Sequence, residues 1–247
     1  MRKILLFLSL TCILAAPAPA QTLSADQILD RIDKNAIAGN RVSVVEMIIH
    51  SRRATRTLKL KSWIQGDDKA FTEFLEPPRE RGTKMLKLGD QLWTYSPDAD
   101  RTISISGHML RQSVMGSDLS YEDMLEDRKL RQVYEATVVG EETIIDRPCW
   151  ILELKAKAEG VAYHSRKVWV DRERFVLLRE VRFAKSGKQL KTLEVTSVIR
   201  AQERWVQNDV VFKDVLKTGD GTEFIIRSIE FEAAIPEALF SKASLRK

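Results

Sequence analysis

The three histidines, His50, His108 and His164, are the first places to look for chemistry in this sequence. Histidines that bind a metal or act as bases usually have a second ligand or a nucleophile close by, and metal pairs commonly lie about two to five positions apart. None of the three has a histidine or cysteine at such a spacing. The sequence therefore predicts no metal centre, and we expect each histidine to be structural or at the surface.

Ser117 is the best-placed hydroxyl for a nucleophile, because it stands in Gly116-Ser117-Asp118. No Gly-x-Ser-x-Gly elbow surrounds it and no histidine base is near, which favours a turn or cap position. Cys149 stands at the start of a predicted strand, where a buried thiol is expected. The chain has no glycine-rich loop of a nucleotide site. We therefore predict no catalytic residues and no cofactor.

A group of carboxylates follows Ser117 and raises the question of calcium; it comprises Asp118, Glu122, Asp123, Glu126 and Asp127. The spacing is not that of an EF-hand. Ser120-Tyr121-Glu122-Asp123 is more typical of a helix start, with Ser120 as N-cap and acidic residues complementing the helix dipole. This interpretation makes the segment a short acidic helix.

The elements around these residues begin with an export signal. Residues 1–20 combine MRK, an apolar stretch of about 13 residues and an Ala-x-Ala site, which predicts a signal peptide cleaved after Ala20. The apolar stretch is shorter than the roughly 20 residues of a membrane span. Lipid attachment at Cys12 is the alternative, but Thr11 is a poor match to the small residue such processing needs. The signal predicts a periplasmic protein.

The composition of the remaining chain, residues 21–247, bounds its class. Removing Arg2 and Lys3 leaves 38 basic and 35 acidic residues, a net charge of 38 − 35 = +3, with both signs interspersed. A weakly basic surface of this kind is compatible with membrane contact. The sequence contains no block of basic residues of the kind that binds nucleic acid. Cys149 is the one remaining cysteine, so no internal disulfide forms and the apolar core must hold the fold. We predict a single domain and a monomer.

One helix opens this domain. Ser24 and Gln27 form a capping box, Leu23 and Ile28 have the spacing of a hydrophobic staple, and the apolar residues Ile28, Leu29, Ile32 and Ala36 repeat at helical spacing. Gly39-Asn40 ends the pattern. The sequence predicts a helix over 24–38 with one apolar face.

After Asn40 the apolar period changes from 3.6 to 2, which predicts strands. The candidate strands are 42–52, 56–65, 69–76, 83–88, 91–96, 101–106, 133–141, 144–157, 164–171, 174–184, 189–200, 204–216 and 223–232. Alternation as in 150–156 indicates one wet and one dry face, and a sheet this long must curl. The helix and the interruption at 107–128 are then predicted as the elements that cover the dry concave face.

Several motifs of the chain are similar to those of a known family. They are Phe74-x-x-Pro-Pro, Gly82, Trp93-x-Tyr95-x-Pro97, the central motif with Gly116, Ser117, Asp118, Tyr121 and Asp123, and Val168-Trp169-Val170-Asp171 followed by Ser186-Gly187. On these residues the chain resembles the outer membrane lipoprotein-sorting protein family, over nearly all of residues 21–247. That family is similar in fold to the LolA and LolB lipoprotein carriers.

The resemblance implies an α+β, mainly antiparallel β fold: an incompletely closed β-barrel of about eleven strands with helices covering the mouth. It also implies function, because LolA binds the acyl chains of lipoproteins and passes them towards the outer membrane. Members of the family are often encoded beside resistance-nodulation-division-type membrane permeases, and this implies a permease of the inner membrane as a partner. Fold alone does not fix function.

Two functional hypotheses follow. In the first, the protein is a periplasmic carrier for a lipid or an acylated lipoprotein, with transient membrane contact and no chemistry. We expect its cavity and lid residues to be Trp63, Phe71, Trp93, Tyr95, Met109, Met115, Leu119 and Met124. In the second, it is an accessory protein that docks on an inner-membrane permease and has a packed interior. An enzyme would require a polar, histidine-bearing pocket.

Overall fold

A computed structural model describes residues 23–36, 39–126, 129–157 and 160–247, so the predicted signal peptide lies outside the described residues. Thirteen antiparallel strands form one open, curled sheet, and each of the thirteen alternating stretches corresponds to one of them. The resemblance implied about eleven. The strands are β1 (Asn40–His50), β2 (Thr55–Gln65), β3 (Lys69–Glu76), β4 (Lys84–Leu88), β5 (Gln91–Ser96), β6 (Arg101–Ile105), β7 (Tyr134–Ile144), β8 (Arg147–Ala156), β9 (Ser165–Asp171), β10 (Leu177–Phe183), β11 (Gln189–Ala201), β12 (Arg204–Asp214) and β13 (Gly221–Phe231).

The order of the strands explains the interruption in the middle of the chain. The chain meanders from β1 to β6 on one side and from β7 back to β13 on the other, and β1 pairs with β13. β6 and β7 are therefore the two edges of the sheet. Because these edges are consecutive in sequence, the segment between them must cross from one edge to the other. The irregular segment is that crossing.

The helix α1 (Ala25–Ala36) begins as its sequence predicts. The Ser24 backbone N–H donates to Gln27 Oε1 at 2.9 Å, and the Gln27 N–H donates to Ser24 Oγ at 3.2 Å, which completes the capping box. Ile28, Leu29 and Ile32 are buried against strands β7, β8 and β9. α1 thus packs on the β7 side of the sheet.

The crossing segment covers the other half, and we call its described residues 107–126 the lid. It consists of short 3₁₀ turns over Gly107–Arg111, Val114–Gly116 and Asp123–Leu125 in place of the short acidic helix predicted from Ser120 onward. Apolar lid side chains pack on a buried cluster from β1 to β6; they are Met109, Leu110, Val114, Met115, Tyr121, Met124 and Leu125. After the lid, the short helix α2 (Leu130–Val133) leads into β7.

The motif Gly116-Ser117-Asp118 anchors the lid to the sheet. Gly116 has a φ of 75°, a conformation that favours glycine. Ser117 Oγ donates to the Val114 carbonyl at 2.6 Å and so closes the turn. The Asp118 carboxylate accepts hydrogen bonds from Thr222 Oγ1 and from the Asp214 N–H, both at 2.9 Å. These contacts give the motif a structural role in fixing the lid on β12 and β13.

A buried group of ion pairs holds the end of the lid, and we call it the ion cluster. Asp123 Oδ1 accepts from Arg182 Nη1 at 3.0 Å and from the Tyr163 hydroxyl, and Glu126 pairs with Arg166. The predicted capping contact exists, since Asp123 Oδ2 accepts the Ser120 N–H at 2.8 Å. The charge of Asp123 is nevertheless neutralised by β10 and β11 rather than by a helix dipole. The ion cluster therefore ties the lid to the strands opposite its apolar contacts.

The C-terminal segment after β13 covers a part of the sheet that was expected to face water. Phe240 and Leu245 are buried against Phe71, Leu86 and Trp93 on the convex side of β3, β4 and β5. This part of the sheet is consequently buried on both faces, which corrects the prediction of one wet face.

Replacing Ser24 by alanine is expected to lower the free energy of unfolding by about 1 kcal/mol, because the first turn of α1 loses its side-chain cap. Urea denaturation of the exported form measures the change. Ser106→Ala is the matched control, since Ser106 precedes a 3₁₀ turn and makes no side-chain cap bond. Equal effects of both substitutions would show that the capping box does not stabilise α1.

Replacing Asp123 by asparagine is expected to lower the free energy of unfolding by about 3 kcal/mol or more, because Arg182 and Lys191 lose a buried counter-charge. Hydrogen exchange measured by mass spectrometry should also become faster in peptides from residues 107–126. The control is Asp98→Asn, at an exposed turn. Unchanged stability together with unchanged lid protection would exclude a tethering role for Asp123.

Candidate functional site

The concave face of the sheet encloses a cavity with two chambers. The lid chamber, of about 340 Å³, lies between the lid residues Leu119 and Met124 and the strands opposite. The helix chamber, of about 470 Å³, lies under α1 and reaches Ile32 and Asn35. The two chambers are adjacent, because they share wall residues, and we call them together the inner cavity; the shared residues are Ser62, Ile64, Arg182, Leu193, Gln207 and Phe224.

Apolar side chains make up most of the wall of the inner cavity. They come from strands on both arms of the curled sheet, so that Met85 of β4 and Phe212 of β12 border the same chamber. The other apolar wall residues include Val45, Leu60, Ile64, Leu92, Val176, Leu177, Leu193, Val206, Val210, Phe224, Ile226, Ile229 and Phe231. A concave, mostly apolar space of this size is typical of small-molecule sites, which measure roughly 300–1,000 Å³.

The ion cluster forms the polar part of this wall. Arg182 borders both chambers, and Arg166 and Glu180 border the helix chamber. Glu180 accepts from Arg166 Nη1 and from Arg182 Nη2, each at 3.0 Å. Burial alone would raise the pKa of Glu180, but the two guanidinium groups hold it below its ordinary value. Burial likewise opposes the charge on Arg182, and Glu180 and Asp123 nevertheless raise its pKa. The polar wall is therefore a set of fixed, mutually paired charges.

The lid residues expected at the site divide into two groups. Leu119 and Met124 border the lid chamber, as a lining role requires. Met109 and Met115 pack in the apolar cluster beneath the lid and do not border either chamber. Met115 also has a φ of 52°, and its carbonyl accepts a hydrogen bond from Arg56. These two methionines fix the lid in place.

The aromatic residues expected at the site lie on the opposite face of the sheet. Trp63, Phe71 and Trp93 follow one register row across β2, β3, β4 and β5, and they pack with Tyr95 against the C-terminal segment. The neighbouring residues Ser62 and Thr72 face the inner cavity instead. Since side chains alternate between the faces of a strand, the four aromatic residues point away from the inner cavity. They do not line the cavity.

The wall residues that sequence reasoning missed are Ile64, Leu193, Phe224 and Arg182. Ile64, Leu193 and Phe224 lie in strands whose apolar and polar residues alternate. The alternation shows which residues share a face of the sheet, but it does not show which face is concave. Arg182 gives no local signal, because a charged residue in an alternating strand is normally solvent-exposed. Its burial depends on Asp123, which is 59 residues away in sequence.

The cysteine and the histidines considered as candidates for chemistry lie in the following places. Cys149 is buried, and burial raises the pKa of its thiol to about 11, which keeps it protonated at neutral pH. His50 Nε2 lies 3.3 Å from Glu223 Oε2. In the described part of the chain, no group of three or more histidine, cysteine, aspartate or glutamate side chains is placed to hold a metal ion. Within the same residues, no helix is long and apolar enough to cross a membrane.

Comparison with known structures identifies the fold. A DUF1329 family protein from Desulfovibrio piger is 22% identical with a TM-score of 0.83, covering 90% of this chain and 97% of that chain. An outer membrane lipoprotein-sorting protein domain from Vibrio parahaemolyticus is 23% identical with a TM-score of 0.77, covering 90% and 98%. A LolA superfamily protein from Nitrosomonas europaea is 20% identical with a TM-score of 0.75, covering 90% and 100%.

Comparison by sequence is less informative about function. No curated protein matches the chain. Residues 66–247 match a family model that is described as "-like: Uncharacterized protein". The chain therefore belongs to the family of that model, and it has the fold of the LolA superfamily and its outer membrane lipoprotein-sorting proteins.

Proposed function

We propose that the protein is a periplasmic carrier that binds a lipid, or the acyl chains of a lipoprotein, in the inner cavity and acts in transport to or maintenance of the outer membrane. The observation that carries this proposal is the pair of adjacent, mostly apolar chambers under α1 and the lid. The similar structures from Vibrio parahaemolyticus and Nitrosomonas europaea, a lipoprotein-sorting protein domain and a LolA superfamily protein, support a carrier of this class. The predicted signal peptide supports the periplasmic location.

The energetics of the inner cavity suit an acyl chain. Burial of one methylene group contributes about 0.8 kcal/mol, so a chain of about ten methylenes gains about 8 kcal/mol. Apolar contacts of this kind need no particular orientation, which allows chains of different length in the same space. The proposed activity is accordingly binding and transfer without catalysis, and the ligand needs no cofactor.

Entry of a ligand requires α1 or the lid to move. The lid is fixed on one side by apolar packing against β1 to β6 and on the other by the ion cluster and Asp118. Breaking the polar anchors exposes charged groups that water can solvate, whereas breaking the apolar anchors exposes a large dry surface. We therefore propose that the lid opens on the side of the ion cluster and turns about its apolar side.

Partly filling the inner cavity should weaken binding. Ile64→Trp places a larger ring between both chambers, and displacing about two methylenes of a ligand costs about 1.6 kcal/mol, or more than tenfold in affinity. The measurement is titration with a dansyl-labelled fatty acid, together with native mass spectrometry and lipid extraction of protein purified from the periplasm. The wild type is expected to carry an extractable lipid or acyl group.

Ile103→Trp is the matched control, because it makes the same exchange at a partly exposed position of the edge strand β6. It should bind the probe as the wild type does. Circular dichroism must show that both variants fold. If the wild type is free of lipid after purification and also fails to bind the probe, the carrier function is wrong. An accessory role on an inner-membrane permease would then be the hypothesis to test by crosslinking.

A further inference from the structure

Arginine side chains lie on aromatic rings at the end of the sheet where α1 ends. The last turn of α1 meets the β9–β10 turn and the β11–β12 turn there. The guanidinium of Arg31 is 4.7 Å from the centre of the Phe175 ring, and that of Arg174 is 4.2 Å from the centre of the Trp205 ring. Asn35 Nδ2 donates to the Arg174 carbonyl at 2.7 Å. These contacts join three separate elements into one surface.

Four cations lie on this surface, and we call Arg31, Lys34, Arg174 and Arg204 the basic rim. Arg204 Nη1 donates to the Lys34 carbonyl at 2.6 Å, so the end of α1 and the β11–β12 turn are in direct contact. Arg204 Nη2 also pairs with Glu232 at 3.5 Å. Within the described ranges of the chain, Arg31, Lys34 and Arg174 form no ion pair. The basic rim therefore holds three cations close together without carboxylate partners.

The chain itself gives no full account of these cations. The acidic residues of the same two turns, Glu173 and Glu203, pair instead with arginines outside the rim. The dipole of α1 favours a cation in its last turn, which accounts for Lys34 but not for Arg174 on a different element. Neighbouring like charges repel unless an anion lies between them. The basic rim is thus suited to an anionic partner from outside the chain.

The aromatic rings beside the cations indicate which kind of anionic partner fits. Phe175 and Trp205 are half-buried and also border the helix chamber. Aromatic rings beside arginine or lysine are typical of membrane interfaces, where the ring lies at the level of the head groups and the cation meets a phosphate. The planar guanidinium suits phosphate oxygens especially well. An acidic protein would need the cations but not the rings, so the composition of the rim favours a phospholipid surface.

We propose that the basic rim docks the protein on an anionic phospholipid membrane, with lipid phosphates between Arg31, Lys34 and Arg174. The end of the sheet that carries Phe175 and Trp205 then faces the head groups. This inference goes beyond the proposed carrier function and does not depend on a ligand in the inner cavity.

Vesicle binding tests the proposal on the wild-type protein. The exported form is mixed at low salt with vesicles of equal parts phosphatidylglycerol and phosphatidylcholine, or of phosphatidylcholine alone, and bound protein is measured by sedimentation. Each unpaired cation at an anionic surface contributes about fivefold in affinity, so the anionic vesicles are expected to bind about a hundredfold more tightly. Raising the salt concentration should reduce this preference, because salt screens exposed charges.

Lys34→Gln should lower the affinity for anionic vesicles about fivefold. Lys188→Gln is the matched control, because Lys188 is an exposed lysine in the β10–β11 turn. The strand β10 separates that turn from the β9–β10 turn, so the control lies at the opposite end of the sheet and should bind as the wild type does. Both variants lose one positive charge, and a difference between them therefore reports position rather than net charge.

A fluorescent label reports which end of the protein meets the membrane. A nitrobenzoxadiazole group on Glu203→Cys, at a side chain that is 89% exposed in the β11–β12 turn, should brighten when anionic vesicles are added. The same label on Ser186→Cys, in the exposed β10–β11 turn, should not change. Cys149 is buried and is not expected to take the label.

The outcomes decide the docking surface separately from the carrier function. Equal binding to both kinds of vesicle, or equal losses in Lys34→Gln and Lys188→Gln, overturns the proposal. Brightening of the label on Ser186→Cys alone shows that another face meets the membrane and overturns it as well. If polyglutamate binds the basic rim while vesicles do not, the partner is an acidic protein and the membrane assignment is wrong. The dansyl titration without vesicles tests the carrier function, so either conclusion can fail while the other stands.

Discussion

The ion pairs of Asp123 and Glu126 with Arg182 and Arg166 are the interaction on which the arrangement of this protein depends. The sheet is open between β6 and β7, and the chain must cross from one edge to the other over an apolar concavity. Apolar packing holds the crossing segment mainly on the β1–β6 side. The ion pairs attach it to the other side. Together with the hydrogen bonds of Asp118 to Thr222 and Asp214, they fix the boundary between lid and sheet.

Buried ion pairs are a specific way to close a cavity, though an energetically weak one. Desolvation offsets much of the attraction between the partners, so the net stabilisation is small while the loss of one partner is costly. An apolar closure would have merged with the apolar wall and filled the cavity. The charged side chains instead pair with each other, while Arg182 also lies over the rings of Tyr163 and Phe212. A lid that is well positioned and still able to open is consistent with this balance.

The two faces of β3, β4 and β5 differ in what they pack against. Their concave residues, such as Thr72, Met85 and Leu92, are mixed in size and polarity and border the lid chamber. Their convex residues, Phe71, Leu86 and Trp93, pack tightly under Phe240 and Leu245. The largest aromatic side chains thus stabilise the sheet from behind and leave space in front. This division explains why aromatic content was a poor guide to the site.

The sequence by itself determined the features that depend on local patterns of residues. These are the capping box of Ser24 and Gln27, the apolar face of α1 and the positions of all thirteen strands. These features depend on residues within a few positions of each other, which a linear pattern contains. Only the tertiary structure decided which face of each strand is concave, because alternation is symmetric between faces and Ser62 and Trp63 are equally allowed inside. The tertiary structure also determined which residues bind Asp123. Tyr163 and Arg182 reach it only because the sheet curls and brings distant strands under the lid.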